Sequence, residues 1–423
     1  MSTLTDFIVS WIREITSAIC FIIWIYVIIK PSENERVNWG IFFSCLYIAV
    51  ALPLINLLCV HYQLWEYKEN TVIGLPLDLY FIWLTLWGCL PVMVFKGKQT
   101  LLCLVSLFWL DFVFMPLLSQ QGVFQLSDNW LLGEFITLLL VFLPAYLWSY
   151  CFINNTKTAF RASMQVLTVI ITVGGILPLL MSEYNLIDFS ELNLNVITLQ
   201  FLVIVSLPGL QATYLLVKYG KGTPFPYDKT KVIVTHGVYA YIKNPIQWSF
   251  TFAFIPLAII FSSPWLLIGS VVSFLYCISI ANNQEGKDME ERFRGNWTNY
   301  NKTVPAFFFS FKPYAKTEST IYFKKDCGYC QDLKKWYINR KPLGINFKDA
   351  LPEHLKVTYI NCNGKVYAGY KAVLKMMEHT NLFWASLSWI LQLPGLYHLV
   401  NGIVESLGLY DNNPEQCSIK NSH

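Results

Sequence analysis

Long apolar stretches, separated by short polar connections, dominate the first two thirds of the chain. A helix needs about 20 mostly apolar residues to cross the hydrocarbon core of a bilayer. Windows of that length predict about nine transmembrane helices. They lie near residues 8–30, 38–60, 76–96, 100–120, 130–153, 163–182, 193–217, 246–262 and 264–282. We read the first as a retained span and the last two as a hairpin around Pro264.

The pattern changes after the hairpin. Residues 285–380 are polar enough for a soluble domain, and the apolar stretch 381–410 is broken midway by Pro394 and Gly395, which argues against a tenth span. The chain is therefore predicted to contain N-terminal transmembrane helices (1–192), a second membrane region (193–312) and a C-terminal domain (313–423).

Composition and charge agree with a polytopic α-helical membrane protein. Of the 423 residues, 55% are hydrophobic and only 14% are charged. The net charge of +4 is scattered over the connections, so no nucleic-acid partner is expected. Basic residues are concentrated in alternate connections, which predicts an outside N-terminus and a cytoplasmic C-terminal domain, and we expect a bacterial inner membrane. The basic residues of the first such connections are Lys30, Arg36, Lys96, Lys98, Lys157 and Arg161.

A polar segment of unusual composition, Gly220–Trp248, separates the seventh and eighth spans. Its first part, Gly222-Thr-Pro-Phe-Pro226, cannot continue a helix, and Pro245 is well placed to start the next one. The hairpin that follows returns to the same membrane face at Glu285. The Asn244-Pro245 motif and Glu285 are therefore expected to line one pocket.

This pattern resembles the integral-membrane methyltransferases of the isoprenylcysteine carboxyl methyltransferase and phospholipid methyltransferase group. The family has a Gly-Thr-Pro-x-Pro run, a Gly-x-Tyr-x-Tyr-x-(Arg/Lys)-(His/Asn)-Pro motif, a helical hairpin, a Glu-Glu pair and a Phe-Gly-x-x-Tyr-x-x-Tyr-x-x-x-Val-Pro run. The resemblance covers Gly220 to Pro305. Three positions depart from it: Gln247 replaces a frequent tyrosine, Gly286 the second glutamate and Arg294 the glycine after Phe293.

The resemblance implies S-adenosylmethionine as the cofactor, bound in a cytoplasm-facing pocket, and a lipophilic acceptor, a small molecule or a lipidated substrate, that enters from the surrounding membrane lipids. The residues that it implies for cofactor binding are Gly237, Tyr239, Tyr241, Lys243, Asn244, Pro245, Gln247, Glu285, Trp297 and Tyr300.

These residue types suit the chemistry. A carboxylate such as Glu285 can pair with the donor's amino group, aromatic faces attract a sulfonium cation, and exposed backbone at Asn244-Pro245 can bind adenine. Methyl transfer depends mainly on positioning, and His236 could act as the base for a hydroxyl, thiol or amine acceptor. The alternatives are an interfacial aromatic belt, a solvated acid at the start of a helix, and a loop histidine without chemistry.

The C-terminal domain carries a dithiol motif. Residues 319–326 are predicted to form a strand that runs into Cys327-Gly-Tyr-Cys330 and then a helix. A helix N-terminus and the nearby Lys324 and Lys325 should lower the pKa of Cys327, which makes it the attacking thiolate and Cys330 the resolving thiol. A half zinc site and a dithiol without redox activity are the alternatives, and we expect no metal.

This domain resembles the thioredoxin-like thiol-disulfide oxidoreductases named for an Asp-Cys-Cys motif. The similarity extends through the Val357–Ile360 and Asn363–Gly369 segments to Tyr410 and Cys417. It implies a thiol or disulfide partner. The aspartate expected three residues before the first cysteine is Lys324, with Asp326 adjacent to Cys327 instead.

Acidic side chains are rare within the predicted spans, since a charge is costly there. Asp78 and Glu134 lie near predicted ends, which favours the interface, and Asp111 is the better candidate for function. The sequence thus predicts a membrane methyltransferase fused to a cytoplasmic dithiol domain, the extra spans shaping a cavity for an acyl or prenyl chain. The alternatives are a membrane-tethered thiol-disulfide oxidoreductase with a vestigial methyltransferase pocket, and a transporter.

Overall fold

The computed structural model describes residues 2–315, 318–325, 327–354, 357–362 and 364–407. Within these residues, seven helices are long and apolar enough to cross a membrane by length and composition. Their bounds lie close to the first seven predicted spans, and they make the chain an integral membrane protein. They are α1 (Ser2–Ile29), α2 (Glu35–His61), α3 (Leu77–Phe95), α4 (Thr100–Gln120), α5 (Trp130–Ile153), α6 (Thr158–Glu183) and α7 (Val196–Gly220).

Three of these helices contain one wide turn of π type just before a proline. The turns Leu84–Cys89, Leu138–Phe142 and Thr172–Ile176 precede Pro91, Pro144 and Pro178. Proline has no backbone N–H to donate, and its ring clashes with the carbonyl of the preceding turn. The wider turn relieves that clash and lets each helix continue.

The predicted eighth and ninth spans form two shorter apolar helices, α8 (Pro245–Ile260) and α9 (Leu266–Tyr276). A 2.9 Å hydrogen bond between the hydroxyls of Thr251 and Ser273 joins them. A wide turn, Cys277–Ala281, leads from α9 to α10 (Asn282–Phe293), which is followed by α11 (Gly295–Thr303). The hairpin is therefore present, whereas nine membrane crossings stay a prediction.

The chain divides into two compact units. The first contains residues 1–193, 221–230 and 261–263. Its core surrounds α2, where Phe43 stacks on Trp148 of α5 at 4.8 Å between ring centroids. A two-stranded antiparallel sheet, β1 (Trp65–Tyr67) with β2 (Phe124–Leu126), joins two of its connections.

The second unit contains residues 194–220, 231–260 and 264–423, including the C-terminal α/β domain. The elements of that domain are β3 (Ser319–Phe323), α12 (Gly328–Ile338), β4 (Ile345–Asp349), β5 (Thr358–Ile360), β6 (Val366–Ala368), α13 (Tyr370–Met377), α14 (Leu382–Leu391) and α15 (Pro394–Ser406). Its sheet has the strand order β4-β3-β5-β6. Strand β3 is parallel to β4 and antiparallel to β5, which is antiparallel to β6.

The C-terminal domain packs on the membrane region of its own unit. Ala385 and Trp389 of α14 share a buried cluster with Leu215 of α7 and with Val238 and Tyr241 of the polar segment. The apolar stretch predicted after residue 381 thus forms α14 and α15, which are separated at Pro394 as expected. One face of α14 is buried against protein.

Candidate functional site

The polar segment belongs to both units. Its first part, residues 221–230, lies in the first unit and makes a compact turn in which the Thr223 N–H donates to the Asp228 carbonyl at 3.0 Å. Two side chains of α6 hold this turn: Gln165 donates to the Thr223 hydroxyl at 2.8 Å, and Arg161 forms a buried ion pair of 2.7 Å with Asp228. The Gly-Thr-Pro-Phe-Pro run therefore has a structural role within the first unit.

The second part of the segment contains a glycine in a left-handed backbone conformation. Gly237 has a φ of 63°, and a Cβ built on it would lie 2.7 Å from Cδ1 of Leu215. A side chain would meet both a left-handed backbone conformation and a packed neighbour. Gly237 thus permits the short 3-10 turn Gly237–Ala240 that leads into the cofactor-binding motif predicted from the sequence.

Tyr239 follows directly and lies beside the first helix after the hairpin. The Tyr300 hydroxyl donates to the Tyr239 carbonyl at 2.7 Å, and the Trp297 ring lies 5.7 Å from the Tyr300 ring. All three side chains are buried. Burial, and then the charge of Glu285, raise the pKa of the Tyr239 phenol. This brings Tyr239, Trp297 and Tyr300 together with Glu285 nearby.

The Lys243-Asn244-Pro245 motif is fixed by its backbone. The N–H groups of Lys243 and Asn244 donate to the carbonyls of Pro305 (2.9 Å) and Ala306 (3.2 Å), and Pro245 is the first residue of α8. Both backbone donors are therefore used within the protein. This differs from the expectation that exposed backbone at Asn244-Pro245 would bind adenine.

Glu285 and Gln247 come together across the hairpin. The Gln247 amide Nε2 donates to Glu285 Oε1 at 3.3 Å, and the Glu285 side chain is exposed. Partial desolvation and then the charge of Asp288 raise the pKa of Glu285. The amide that replaces the family's frequent tyrosine thus orients the one carboxylate expected to meet the cofactor.

Tyr241 and His236 lie on the side that faces the C-terminal domain. The Tyr241 hydroxyl donates to the Glu378 carbonyl at 2.9 Å, and the ring packs edge-on against Trp389 at 5.8 Å. His236 Nε2 is buried without a partner among the described residues, with its ring 4.7 Å from that of Tyr219. Burial lowers the pKa of His236 to about 4. Its imidazole is neutral at physiological pH.

The dithiol lies where the sequence predicts it. Cys327 caps the N-terminus of α12, and its sulfur accepts a hydrogen bond from the Cys330 N–H at 3.4 Å. Only 3% of Cys327 and 0% of Cys330 is exposed. Reactive thiols are usually partly exposed, so this burial favours a structural dithiol. Asp326, Asn363, Tyr410 and Cys417, which also entered the predicted resemblance, lie outside the described residues.

Three contacting residues were missing from the sequence-based site. Lys243 Nζ donates to the Asn301 carbonyl at 3.3 Å and also contacts the Asn301 side chain. Asn244 Nδ2 lies 4.0 Å from the sulfur of Cys277, which falls inside the predicted span 264–282, where a cysteine usually packs as a small apolar residue. Glu378 accepts from Tyr241 through its backbone, which leaves no side-chain signal in a sequence. Of these three residues, only Asn301 could have been found from the sequence, because it lies within the Tyr-x-x-x-Val-Pro run.

Comparison with known proteins supports the membrane region. Residues 199–296 match the phospholipid methyltransferase family. The matched stretch runs from α7 to the start of α11 and includes the Gly237–Asn244 motif, Gln247 and Glu285. No curated protein and no solved structure matches the chain. The match supports a membrane methyltransferase.

Proposed function

We propose that the chain is an S-adenosylmethionine-dependent methyltransferase that acts on a lipophilic acceptor taken from the membrane. One observation carries the proposal: the Gln247–Glu285 pair joins the start of α8 to α10 within the stretch that matches the phospholipid methyltransferase family. The family match supports the reaction class and association with the membrane. The cytoplasmic orientation of the site and a nine-span topology belong to the same proposal.

The residues fit the cofactor at its amino acid end. Glu285 is an exposed carboxylate that keeps an amide donor on one oxygen, so its other oxygen can accept a hydrogen bond from the cofactor's ammonium group. Trp297 supplies an aromatic face near the motif, of the kind that attracts sulfonium cations. The buried Tyr300 hydroxyl donates its hydrogen bond to the Tyr239 carbonyl, so Tyr300 contributes by fixing the turn that contains Tyr239.

When bound, the cofactor supplies an electrophilic methyl group on a sulfonium. The protein contributes position: Gly237 permits the turn, Pro305 and Ala306 hold the Lys243-Asn244 backbone, and Gln247 orients Glu285. An in-line displacement gains most from such alignment. His236 is neutral and therefore has the protonation state of a base. However, its ring lies beside Tyr219, and the charged groups that act on it, Glu378 and Lys375, belong to the C-terminal domain, so we assign it no proton transfer.

Calorimetric titration of the purified full chain with S-adenosylmethionine tests the proposal. We expect Glu285→Gln to weaken binding by about tenfold or more, because a charge-assisted hydrogen bond contributes about 1.5–3 kcal/mol. Gln247→Leu should weaken it by a smaller factor, since the carboxylate remains. Glu405→Gln and Gln200→Leu are the matched controls, because both side chains are exposed and lie in α15 and α7. Absence of binding to the wild-type chain, or unchanged binding by Glu285→Gln, would reject the proposal.

The C-terminal domain has a second candidate function, thiol-disulfide exchange on a thioredoxin-like scaffold. The parallel β3–β4 pair, the antiparallel β5 and β6, and Cys327 as the cap of α12 favour it. The attacking Cys327 thiolate would form a mixed disulfide with a disulfide partner, and Cys330 would resolve it. The test is the reduction of a small disulfide substrate. The wild-type chain should reduce it, whereas Cys330→Ser should stop at the mixed disulfide because the resolving thiol is missing. A methyltransferase-negative chain with this activity would support the oxidoreductase alternative.

A further inference from the structure

Two acidic side chains of the first unit lie in contact inside the protein. Asp111 of α4 is 0% exposed and Glu134 of α5 is 2% exposed, and the two carboxyl groups lie within hydrogen-bonding reach of each other. Trp87 donates to Asp111 Oδ2 at 2.9 Å. Glu134 is thus a buried residue, although its position in the sequence favours the membrane interface. Two carboxyls can share a hydrogen bond only when at least one holds a proton, so the pair carries at most one negative charge.

A negative charge on this pair would have no cationic partner among the described residues that line the cavity beside it. Apart from the other carboxyl of the pair, Asp111 Oδ1 and Glu134 Oε1 have no donor among the described residues. Asp78, another acid of this unit, forms an ion pair with Arg13 at 2.7 Å. By contrast, none of the described residues that line the cavity beside Glu134 is a lysine, an arginine or a histidine. A buried charge without a partner is costly, so a cation bound here would stabilise the ionised form of the pair.

The cavity beside Glu134 has a volume of about 20 Å³. This is enough for one group of the size of water. Its lining is aromatic as well as acidic, and it includes Trp65, Tyr67, Trp83, Trp87, Glu134 and Thr137. Aromatic faces attract cations, most strongly when water is excluded. The cavity therefore combines a small volume, an unpartnered carboxylate oxygen and several ring faces.

These features favour an ammonium group over a metal ion. Hard cations prefer six or more oxygen ligands, and this cavity offers far fewer, because Asn56 Oδ1 already accepts from both Trp65 and Tyr67 at 3.0 Å. An ammonium group needs only a few acceptors for its N–H donors. Glu134 Oε1 and the Thr137 hydroxyl, which donates to the Gly133 carbonyl but can still accept, provide them.

We propose that this cavity is a second ligand site, which binds one unsubstituted ammonium group against the Asp111–Glu134 pair. The positive charge of the ligand is balanced by one negative charge on the pair, whose remaining proton stays between the two carboxyls. The volume excludes a trimethylammonium head. The ligand is either the free ammonium ion or the ammonium head of a lipophilic amine, which share this chemistry. The site is independent of the proposed methyl transfer.

Thermal unfolding of the full chain in detergent, followed by tryptophan fluorescence, tests this site. At equal ionic strength, ammonium chloride should raise the midpoint by about 3 °C relative to potassium and sodium chloride, because a ligand that binds only the folded state stabilises it. Octylamine and octyltrimethylammonium distinguish the sources. If octylamine raises the unfolding midpoint more than ammonium does, the ligand is a lipophilic amine. If only ammonium raises the midpoint, the ligand is the free ion.

Variants of the two acids distinguish binding at the Asp111–Glu134 pair from general effects of the added salts on stability. Glu134→Gln and Asp111→Asn should each abolish the ammonium-specific rise, whereas Asp188→Asn, an exposed acid of the same unit, should retain it. Equal midpoints in the three salts together with no effect of octylamine on the wild-type chain would overturn the proposal without any variant. A full ammonium response in Glu134→Gln, or equal stabilisation by octyltrimethylammonium, would overturn it as well.

Discussion

The Tyr241 hydroxyl donates a hydrogen bond of 2.9 Å to the backbone carbonyl of Glu378, and both groups are buried. Tyr241 lies two residues before Lys243 in the predicted cofactor motif, and Glu378 caps α13 of the C-terminal domain. The bond therefore links the methyltransferase region to the domain that carries the dithiol. The Tyr219 and Tyr367 hydroxyls, 2.5 Å apart, form a second link between the same two regions.

Tyr241→Phe should destabilise this junction. The substitution keeps the ring against Trp389 but leaves a buried carbonyl without its donor, which costs about 1–3 kcal/mol. The midpoint of thermal unfolding in detergent should fall accordingly. Affinity for S-adenosylmethionine should fall as well, because the Tyr241–Glu378 bond helps to order the cofactor motif. Tyr276→Phe, at an exposed position in α9, is the matched control. An unchanged midpoint in Tyr241→Phe would mean that the carbonyl finds another partner.

Gly237→Ala should reduce both stability and cofactor binding. Its φ of 63° costs an alanine about 1–2 kcal/mol, and the new Cβ would also press on Leu215 at 2.7 Å. Gly286→Ala tests the opposite case within α10, where a Cβ meets nothing within 4 Å. That variant should gain up to about 1 kcal/mol from helix propensity. Equal midpoints for the two variants would show that the turn at Gly237 tolerates a side chain.

Much of the fold could be predicted from the sequence because it follows from local patterns. Apolar runs long enough for a membrane gave seven spans with nearly correct ends, and the order strand, dithiol, helix gave β3, Cys327 and α12. The wide turns before prolines could not be predicted, since several helices contain a proline without such a turn. Pro53 of α2 and Pro256 of α8 are examples.

The candidate site was less predictable because its contacts join residues that are distant in the chain. That both ends of the hairpin reach one face follows from its length, and the Gln247–Glu285 bond agrees with it. In contrast, the burial of Glu134 depends on helix rotation, which a nearly uniform apolar helix does not encode. The direction of Tyr241 towards Glu378 depends on docking of a domain, which leaves no periodic signal.

His236 should make the stability of the chain more sensitive to acid. Its pKa is lowered to about 4 in the folded protein, mainly by burial, while the negative charge of Glu378 opposes the shift. In the unfolded chain a histidine takes up its proton near pH 6.5. As the pH falls from about 7 to 5, the unfolded state therefore binds a proton that the folded state does not, and stability is lost.

The wild-type chain should thus lose about 1–2 kcal/mol of stability relative to His236→Gln between pH 7 and pH 5. Comparing the two chains cancels the titration of groups that they share, including Lys375 and His379 nearby. Unfolding midpoints measured across this pH range provide the test. Parallel pH profiles for the two chains would indicate that His236 ionises normally in the folded protein.

Cys327 should be protected from alkylation in the folded chain. It is 3% exposed, so N-ethylmaleimide can reach it only after local opening, whereas Cys362 of the same domain is exposed. We expect Cys362 to react about tenfold faster or more, because the reactive fraction of Cys327 is limited to the open population. Timed labelling followed by peptide mass spectrometry measures both rates in one sample.

Labelling in denaturant is the control, since both thiols should then react at similar rates. Cys362→Ser removes any interference between the two sites. If Cys327 reacts as fast as Cys362 in the folded chain, the helix N-terminus must generate a thiolate that is reached without opening. That result would favour redox exchange by the C-terminal domain. Protection of Cys327 would instead favour a dithiol that packs against the domain core with Tyr337 and Leu374.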